Sequence, residues 1–371
     1  MAFALQNGSA TTPRMVAVQS RPTPRAEVLP EAERLRILRA LMGDKDPSVG
    51  AFPAAIRAVT CRDHDRWVKP LYEQHWPDAL VGRTDKKLRF LTCNLYATAP
   101  YTVLFSSARP PFAVRALRAL GVGLGFSPAS MATWAGRATG LCAALLSDDT
   151  RRRIVQIASF IAAVDHIFDH CMQGMPAEER GRRMRALLDD QWLPDDTVAH
   201  AGAFRFLRAL FEAMGGNVEG EDAAVYAIAT NRLREFFDAE VKAMTGVKDP
   251  TGLEWRMPGV LGTIEGLVFP VWRFAGEPAR TWMYGVSLFV QVMDDWIDLE
   301  KDLAEVRPTP MTTGFWDERA LEETWRATVD GIVALAKNSG IDDERYLRFV
   351  RETYRFMAIE VAEAMGGGGA A

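Results

Sequence analysis

Hydrophobic and polar positions along most of the chain recur with the 3.6-residue period of an α-helix and not with the alternation of a strand. No set of Val-, Ile- and Thr-rich segments separated by hairpin turns is visible. The pattern therefore predicts an all-α fold. Helices are expected over residues 31–41, 113–120, 130–146, 150–172, 177–189, 197–214, 223–244, 260–274, 280–306, 318–337 and 342–365.

Both ends of the chain lack this period. Residues 1–26 are rich in Ala, Ser, Thr and Pro and contain no acidic residue, so we expect a disordered arm; an organelle transit peptide is the alternative. Residues 366–371 are expected to form a flexible Gly-rich tail. No repeat or long linker divides residues 27–365, which predicts a single helical domain.

Helix caps can also be placed from the sequence. Ser130 and Asp149 stand where N-caps belong, just before segments with helical period. Gly174 and Gly340 stand where helices should stop, because glycine is the common residue just past a helix end.

The overall composition excludes several classes of protein. Of the 371 residues, 48% are hydrophobic and 25% are charged, as in ordinary globular proteins. The net charge of -4 offers no basic field for nucleic acid, and no run of about 18 apolar residues predicts a membrane span. Four widely spaced cysteines without a CxxC motif argue against a zinc site or a disulfide scaffold, and favour a cytoplasmic location.

One predicted helix is buried and then ends in carboxylates. Residues 154–164 are apolar or small except for Gln156 and Ser159, which predicts a helix that is interior on nearly all sides. Asp165 and Asp169 follow one helical turn apart, with about 6 Å between their side chains. Because burying two anions together is costly, this pair predicts a compensating cation.

A second helix, over residues 282–305, repeats this plan 129 positions later. The simplest interpretation is the solvated face of an amphipathic helix, but solvated faces usually mix charges of both signs, and here only Lys301 lies at the edge. Two such faces at the mouth of an apolar cavity would suit Mg²⁺ and a phosphate or diphosphate ester. The polar face carries Gln291, Asp294, Asp295, Asp298, Asp302 and Glu305.

These two segments resemble the aspartate motifs of class I all-α isoprenoid synthases. Residues 289–298 resemble the FQxxDDxxD motif of chain-elongating members, with the Phe one place early, and residues 165–169 resemble the DxxxD motif of squalene and phytoene synthases. The order of GTIEGLVFPVW at 262–272 and the second motif is similar to bacterial large terpene synthases of the tetraprenyl-β-curcumene type. The resemblance covers residues 130–310.

The resemblance implies a single large antiparallel helical bundle with a central apolar cavity, in which three Mg²⁺ ions bind and ionise an allylic prenyl diphosphate. The implied metal ligands are Asp165, Asp169, Asp294, Asp295, Asp298 and Asp302, of which Asp165, Asp169, Asp294 and Asp298 are the catalytic set. The residues expected to bind diphosphate are Arg180, Lys301, Arg307, Arg345 and Tyr346. The aromatic residues expected to line the cavity are Phe160, Phe168, Phe236, Phe237, Phe269, Trp272 and Trp296. An ordinary surface or core role is the alternative for each of these basic and aromatic side chains.

The missing GKRxRP-like segment favours a terpene synthase, a lyase that cyclises or eliminates one prenyl diphosphate, over a chain-elongating or head-to-head prenyltransferase. Two other classes stay open. His166 and His170 form an HxxxH beside the aspartates, which suits a helical metal-dependent phosphohydrolase. A noncatalytic helical scaffold is the last alternative. The expected partner is a small-molecule prenyl diphosphate and not nucleic acid, and the resemblance allows a homodimer.

Overall fold

The computed structural model describes residues 29–82, 84–105, 119, 122–145, 147–215, 231, 234, 257, 260, 276–304 and 306–366. Every regular element within these ranges is helical, which confirms the all-α prediction. The arm at 1–26, residues 367–371, and the helices predicted at 113–120, 223–244 and 260–274 lie outside these ranges except for isolated positions. No helix in the described part of the chain is both long and apolar enough to cross a bilayer.

The helices vary from single turns to 23 residues. In chain order they are α1 (Glu31–Met42), a 3₁₀ turn (Pro47–Val49), α2 (Ala51–Trp67), α3 (Lys69–His75), α4 (Pro77–Val81), α5 (Thr84–Phe105), α6 (Pro128–Leu145), α7 (Asp148–His166), a π-turn (Ile167–Cys171), α8 (Ala177–Leu188), α9 (Ala201–Gly215), α10 (Glu277–Ile297), α11 (Leu299–Ala304), α12 (Glu318–Asn338) and α13 (Glu344–Gly366).

Helix starts lie slightly earlier than the sequence suggested. Ser147, and not Asp149, caps α7: its hydroxyl accepts a hydrogen bond from the Thr150 amide at 3.1 Å. In the same way the Ser130 amide donates to the Ser127 hydroxyl at 3.2 Å, so Ser130 lies inside the first turn of α6. The predicted stops at Gly174 and Gly340 are confirmed, because both have positive φ, which favours glycine.

Helices α2 to α5 occupy a region for which the sequence pattern predicted no element. For α2 the reason is that its buried face carries Thr60, Asp63 and His64 beside Phe52 and Ile56. A buried face that contains polar residues shows no clear hydrophobic period, although the backbone is helical.

Two groups of helices meet along α13. On one side α10 packs against α12, and α12 packs against α13. On the other side α2 packs against α5 and α6, α5 against α7, and α7 against α9, while α13 contacts α2 and α6. Aromatic pairs join the first group: Phe289 lies 5.1 Å from Trp325, and Trp325 lies 5.9 Å from Tyr354, between ring centroids.

Arg34 anchors α1 to the carboxyl end of α10. Its side chain is 1% exposed, and its guanidinium donates a hydrogen bond to the carbonyl of Ile297 at 3.1 Å. In return the indole of Trp296 donates to the carbonyl of Arg34 at 3.1 Å. A cation at a helix carboxyl end also interacts favourably with the helix dipole. These contacts hold the end of α10 in place.

We expect Arg34→Met to lower the free energy of unfolding by about 2–3 kcal/mol, because the substitution keeps the aliphatic stem but removes a charged donor from a buried carbonyl. Urea denaturation monitored by circular dichroism would measure this change. The matched control is Arg36→Met, on the exposed side of the same helix, which should change stability by less than about 0.5 kcal/mol. Equal effects of the two substitutions would contradict an anchoring role for Arg34.

Candidate active site

The second aspartate motif lies at the junction of α10 and α11. The amide of Asp298 donates to the carbonyl of Asp294 at 2.8 Å, and the amide of Asp302 donates to that of Asp298 at 2.9 Å. This hydrogen bonding continues across the short break between the two helices, where the sequence predicted one continuous helix. The three carboxylates therefore follow one another along a single face, as predicted.

This acidic face is not simply a solvated one. Asp295 is 1% exposed and Asp302 is 3% exposed, whereas Asp294 and Asp298 are half-buried. This burial rules out a simply solvated face at Asp295 and Asp302. It also divides the carboxylates into two that the protein encloses and two that an incoming ligand can reach.

Polar and basic neighbours hold the acidic face. The amide of Gln291 donates to Asp295 at 3.1 Å, the ammonium of Lys301 donates to Asp298 at 3.2 Å, and Arg307 forms an ion pair with Asp302 at 3.7 Å. The predicted diphosphate-binding residues Lys301 and Arg307 thus lie against the predicted metal ligands. Charge-assisted contacts of this kind are the usual compensation for buried carboxylates.

A threonine loop that sequence analysis missed supports Arg307. The Thr309 amide donates to the Thr312 hydroxyl at 2.7 Å, and the Thr312 amide donates to the Thr309 hydroxyl at 3.2 Å. The Thr312 hydroxyl also donates to the carbonyl of Arg307 at 3.0 Å. The available signal was the T-x-x-T spacing, which permits the reciprocal bonding of a capping box.

The first motif is placed differently from the prediction. Helix α7 is buried over residues 154–160 and 162–164, as expected, but Asp165 at its end is exposed. The argument that this carboxylate must be compensated because it is buried is therefore wrong for Asp165. Asp169 lies in the π-turn, which replaces the last turns of the predicted helix, and its side chain is outside the described part of the structure.

The histidines of the HxxxH lie against each other beside this motif. The rings of His166 and His170 are 4.6 Å apart, and the indole of Trp76 lies 5.7 Å from His166, between centroids. Phe160 and Phe168, both predicted cavity residues, are buried. Trp296 of the same set is buried as well, and the remaining four, Phe236, Phe237, Phe269 and Trp272, lie outside the described residues.

Other predicted diphosphate-binding residues occupy separate places. The guanidinium of Arg180 donates to the carbonyl of Met175 at 2.9 Å, before α8. Arg345 is exposed and donates to Asp343 at 2.6 Å, at the start of α13, and Tyr346 beside it is buried.

The position of α13 separates Arg345 and Tyr346 from the acidic face. Leu35 of α1, next to the Arg34 that contacts α10, lies against Gly366 at the far end of α13. At 1.5 Å per residue, Arg345 and Gly366 are about 30 Å apart along the helix. Arg345 and Tyr346 therefore lie at the end of α13 that is remote from the acidic face, and their role in closing over a diphosphate stays a prediction.

The two motif-bearing helices belong to different groups. Helix α7 packs mainly on α5, α9 and α2, whereas α10 packs mainly on α12, α1 and α13. Within the described residues, no group of three or more His, Cys, Asp and Glu side chains is placed to hold a metal ion. Carboxylate oxygens nevertheless suit Mg²⁺ chemically, and proteins usually bind that ion through one or two carboxylates together with substrate phosphates. Asp294 and Asp298, half-buried and one turn apart, fit that requirement.

Comparisons with protein-family models, with curated proteins and with solved structures gave no match. The assignment of a function therefore depends on the residues themselves.

A buried polar network, also missed from the sequence, connects α2, α5 and α7. Asp63 is 1% exposed; it accepts hydrogen bonds from the Tyr96 hydroxyl at 2.6 Å and from the Arg151 guanidinium at 3.1 Å. Burial raises the pKa of Asp63 above its ordinary value, although Tyr96 and Arg151 oppose the shift. The neighbouring His64 is 2% exposed, and burial lowers its pKa to about 4. These contacts join three helices through their polar side chains.

The pKa of His64 predicts a loss of stability in mild acid. The unfolded chain protonates this imidazole below its ordinary pKa of about 6.5, whereas the folded chain resists protonation until about pH 4. Unfolding should therefore become easier by up to about 3 kcal/mol between these two pH values. Denaturation at pH 7.0 and pH 4.5 should show that His64→Gln removes this part of the pH dependence. The exposed control His200→Asn should retain it, and an unchanged dependence in His64→Gln would contradict the assignment.

Proposed function

We propose that this protein is a Mg²⁺-dependent class I isoprenoid synthase that ionises an allylic prenyl diphosphate and converts the resulting cation to a terpene by cyclisation or elimination. The observation that carries the proposal is the acidic face of α10 and α11. Two of its carboxylates, Asp294 and Asp298, are reachable, and two, Asp295 and Asp302, are enclosed by protein partners. The order of residues in this segment, from Gln291 to Asp298, is the one that resembles the family motif.

The residues of this face divide into two roles. Asp294 and Asp298, with Asp165 and Asp169 of the first motif, would hold Mg²⁺, and the bound ion would supply positive charge to the diphosphate leaving group. Asp295 and Asp302, engaged by Gln291 and Arg307, would hold the face in its shape.

Basic side chains would supply donors to the leaving group. Lys301 contacts Asp298 at 3.2 Å and is 42% exposed, so its ammonium can exchange that carboxylate for a diphosphate oxygen. Arg307, held by the Thr309–Thr312 loop, can donate from the next turn. Donors fixed before the reaction lower the barrier because they need no rearrangement as charge develops on the leaving group.

The cation would need an apolar enclosure that excludes water. Phe168 is buried next to the first motif, and Trp296 is buried on the side of α10 that packs on α1. This proposal includes an apolar cavity and a helical bundle that brings both motifs to that cavity. The cavity would be lined by Phe168, Phe236, Phe269 and Trp272. The same first step serves a chain-elongating or head-to-head prenyltransferase. Gln291, which occupies the Gln position of the FQxxDDxxD-like segment, keeps the chain-elongating class as an alternative.

A second candidate is a helical metal-dependent phosphohydrolase. The observation that favours it is the 4.6 Å contact between the rings of His166 and His170, next to Asp165. Imidazole nitrogens and carboxylates together suit a transition metal more than Mg²⁺.

The proposal is tested by incubating the purified protein with Mg²⁺ and allylic prenyl diphosphates of increasing length, with and without isopentenyl diphosphate. Diphosphate release from a single substrate, together with a hydrocarbon or alcohol product in mass spectrometry, is the expected result. A longer diphosphate only when isopentenyl diphosphate is present would identify a chain-elongating enzyme, and a dimerised prenyl skeleton a head-to-head synthase. Release of inorganic phosphate that requires a transition metal would identify the phosphohydrolase.

We expect Asp294→Asn and Asp298→Asn each to lower turnover at least about a hundredfold. Each substitution keeps the shape of the side chain but removes a negative charge that would hold Mg²⁺. Asp165→Asn tests the first motif separately. Initial rates of diphosphate release measure the loss, and circular dichroism checks that helicity is unchanged. Asp342→Asn, whose carboxylate is 86% exposed outside both motifs, is the matched control and should keep full activity. Full activity in Asp294→Asn and Asp298→Asn would refute the assigned site.

A further inference from the structure

Two cysteines that are 32 positions apart in sequence meet between α2 and α5. The sulfur atoms of Cys61 and Cys93 are 3.4 Å apart. Cys61 is half-buried and can be reached from solvent, while Cys93 is 4% exposed. Neither residue belongs to the aspartate motifs, and the two cysteines are too far apart in sequence for a CxxC spacing to predict their contact.

The surroundings of the pair distinguish the two thiols. The two sulfurs share a hydrogen bond in which either can be the donor, and the guanidinium groups of Arg89 on α5 and Arg57 on α2 lie near Cys61. These contacts lower the pKa of Cys61 to about 6, against the opposing effects of burial and of Asp65. The hydrogen bond to Cys61 and burial raise the pKa of Cys93. These shifts favour the thiolate at the accessible sulfur and the thiol at the enclosed one, and attack by a thiolate begins disulfide formation.

The two sulfurs need only a short movement to form a bond. A disulfide requires them to approach to about 2.05 Å, so a movement of about 1.4 Å is enough. A modest rotation about the Cα–Cβ bonds of the two cysteines can supply this distance. Cys93 also borders a small opening between α2, α5 and α13, whose other lining residues are Pro53, Ile56, Arg57, Asn94, Ala97, Met357 and Glu360.

We propose that Cys61 and Cys93 form a redox-active thiol pair, which a peroxide oxidises to a reversible disulfide between α2 and α5. The Cys61 thiolate attacks one peroxide oxygen, the O–O bond breaks, and the departing oxygen takes up a proton; with hydrogen peroxide it leaves as water. Cys61 is then a sulfenic acid. The Cys93 sulfur attacks the Cys61 sulfur, and the thiol proton and the hydroxyl leave as water. The two sulfurs together lose two electrons, which the peroxide gains, and a dithiol reductant reverses the change.

The test is to treat the full-length, folded and reduced protein with a small excess of hydrogen peroxide, block the remaining thiols with iodoacetamide, and digest with trypsin without reduction. The expected product is a disulfide-linked pair of peptides, 58–62 with 90–115, which dithiothreitol separates. Free thiols should fall from four to two per chain. Before oxidation, iodoacetamide should modify Cys61 at least about tenfold faster than Cys171, whose pKa burial raises to about 11.

Matched variants make the result specific. Cys61→Ser and Cys93→Ser should each abolish the linked peptides, whereas Cys171→Ser should leave their yield unchanged. The same oxidation in denaturant should lose the preference for this pairing, because the fold alone brings the two cysteines together. Absence of the linkage in the folded protein, or equal oxidation of all four cysteines, would overturn the proposal. Because the readout is a covalent bond and not turnover, its failure would be distinct from failure of the proposed synthase activity.

Discussion

Buried charge must be compensated, and in this protein the compensating hydrogen bonds connect helices that are distant in sequence. Arg34 joins α1 to the carboxyl end of α10 through the Ile297 carbonyl. Asp63 joins α2 to α5 through Tyr96 and to α7 through Arg151. An unpaired charge in these positions would cost several kcal/mol. The same requirement thus sets the positions of the helices in both groups.

The acidic face of α10 and α11 combines enclosed and reachable carboxylates, and this combination gives it its chemical interest. Asp295 and Asp302 are enclosed and contact Gln291 and Arg307, whereas Asp294 and Asp298 remain within reach of a ligand. Like charges one turn apart destabilise a helix unless something neutralises them. Lys301 neutralises part of this charge at Asp298, and under the proposed function a divalent cation with an anionic substrate would neutralise more.

The interface of α2 with α5 has a different chemical character. It contains a neutral buried histidine, His64, the hydrogen-bonded Asp63 and the contact between the sulfurs of Cys61 and Cys93. Arg89, bound to Asp65 at 2.7 Å, contributes positive charge at its edge. A helix interface built from polar groups is ordered by directional bonds and not only by shape, and this is what places one thiol against another.

Local regularities determined much of the fold from the sequence alone. The helical period, the caps and the stop glycines depend on residues three or four positions apart, so the elements of the chain from α6 to α9 and from α10 to α13 were predicted to within a few residues. The acidic face of α10 is a local property too, and its alignment was predicted from the spacing of Asp294, Asp298 and Asp302. Helices α2 to α5 were not predicted, and in α2 the buried polar side chains hide the period.

Tertiary structure decided everything that depends on distance in space. Burial divided the carboxylates into enclosed and reachable ones and left Asp165 exposed. Arg345 lies at the end of the long helix α13 that is remote from the acidic face, although the sequence had suggested that Arg345 and this face bind the same diphosphate. Folding also placed Cys93 against Cys61 across 32 positions. Spacing along a chain reports which residues share a helix face, but contacts between helices depend on how whole faces pack, which no local pattern contains.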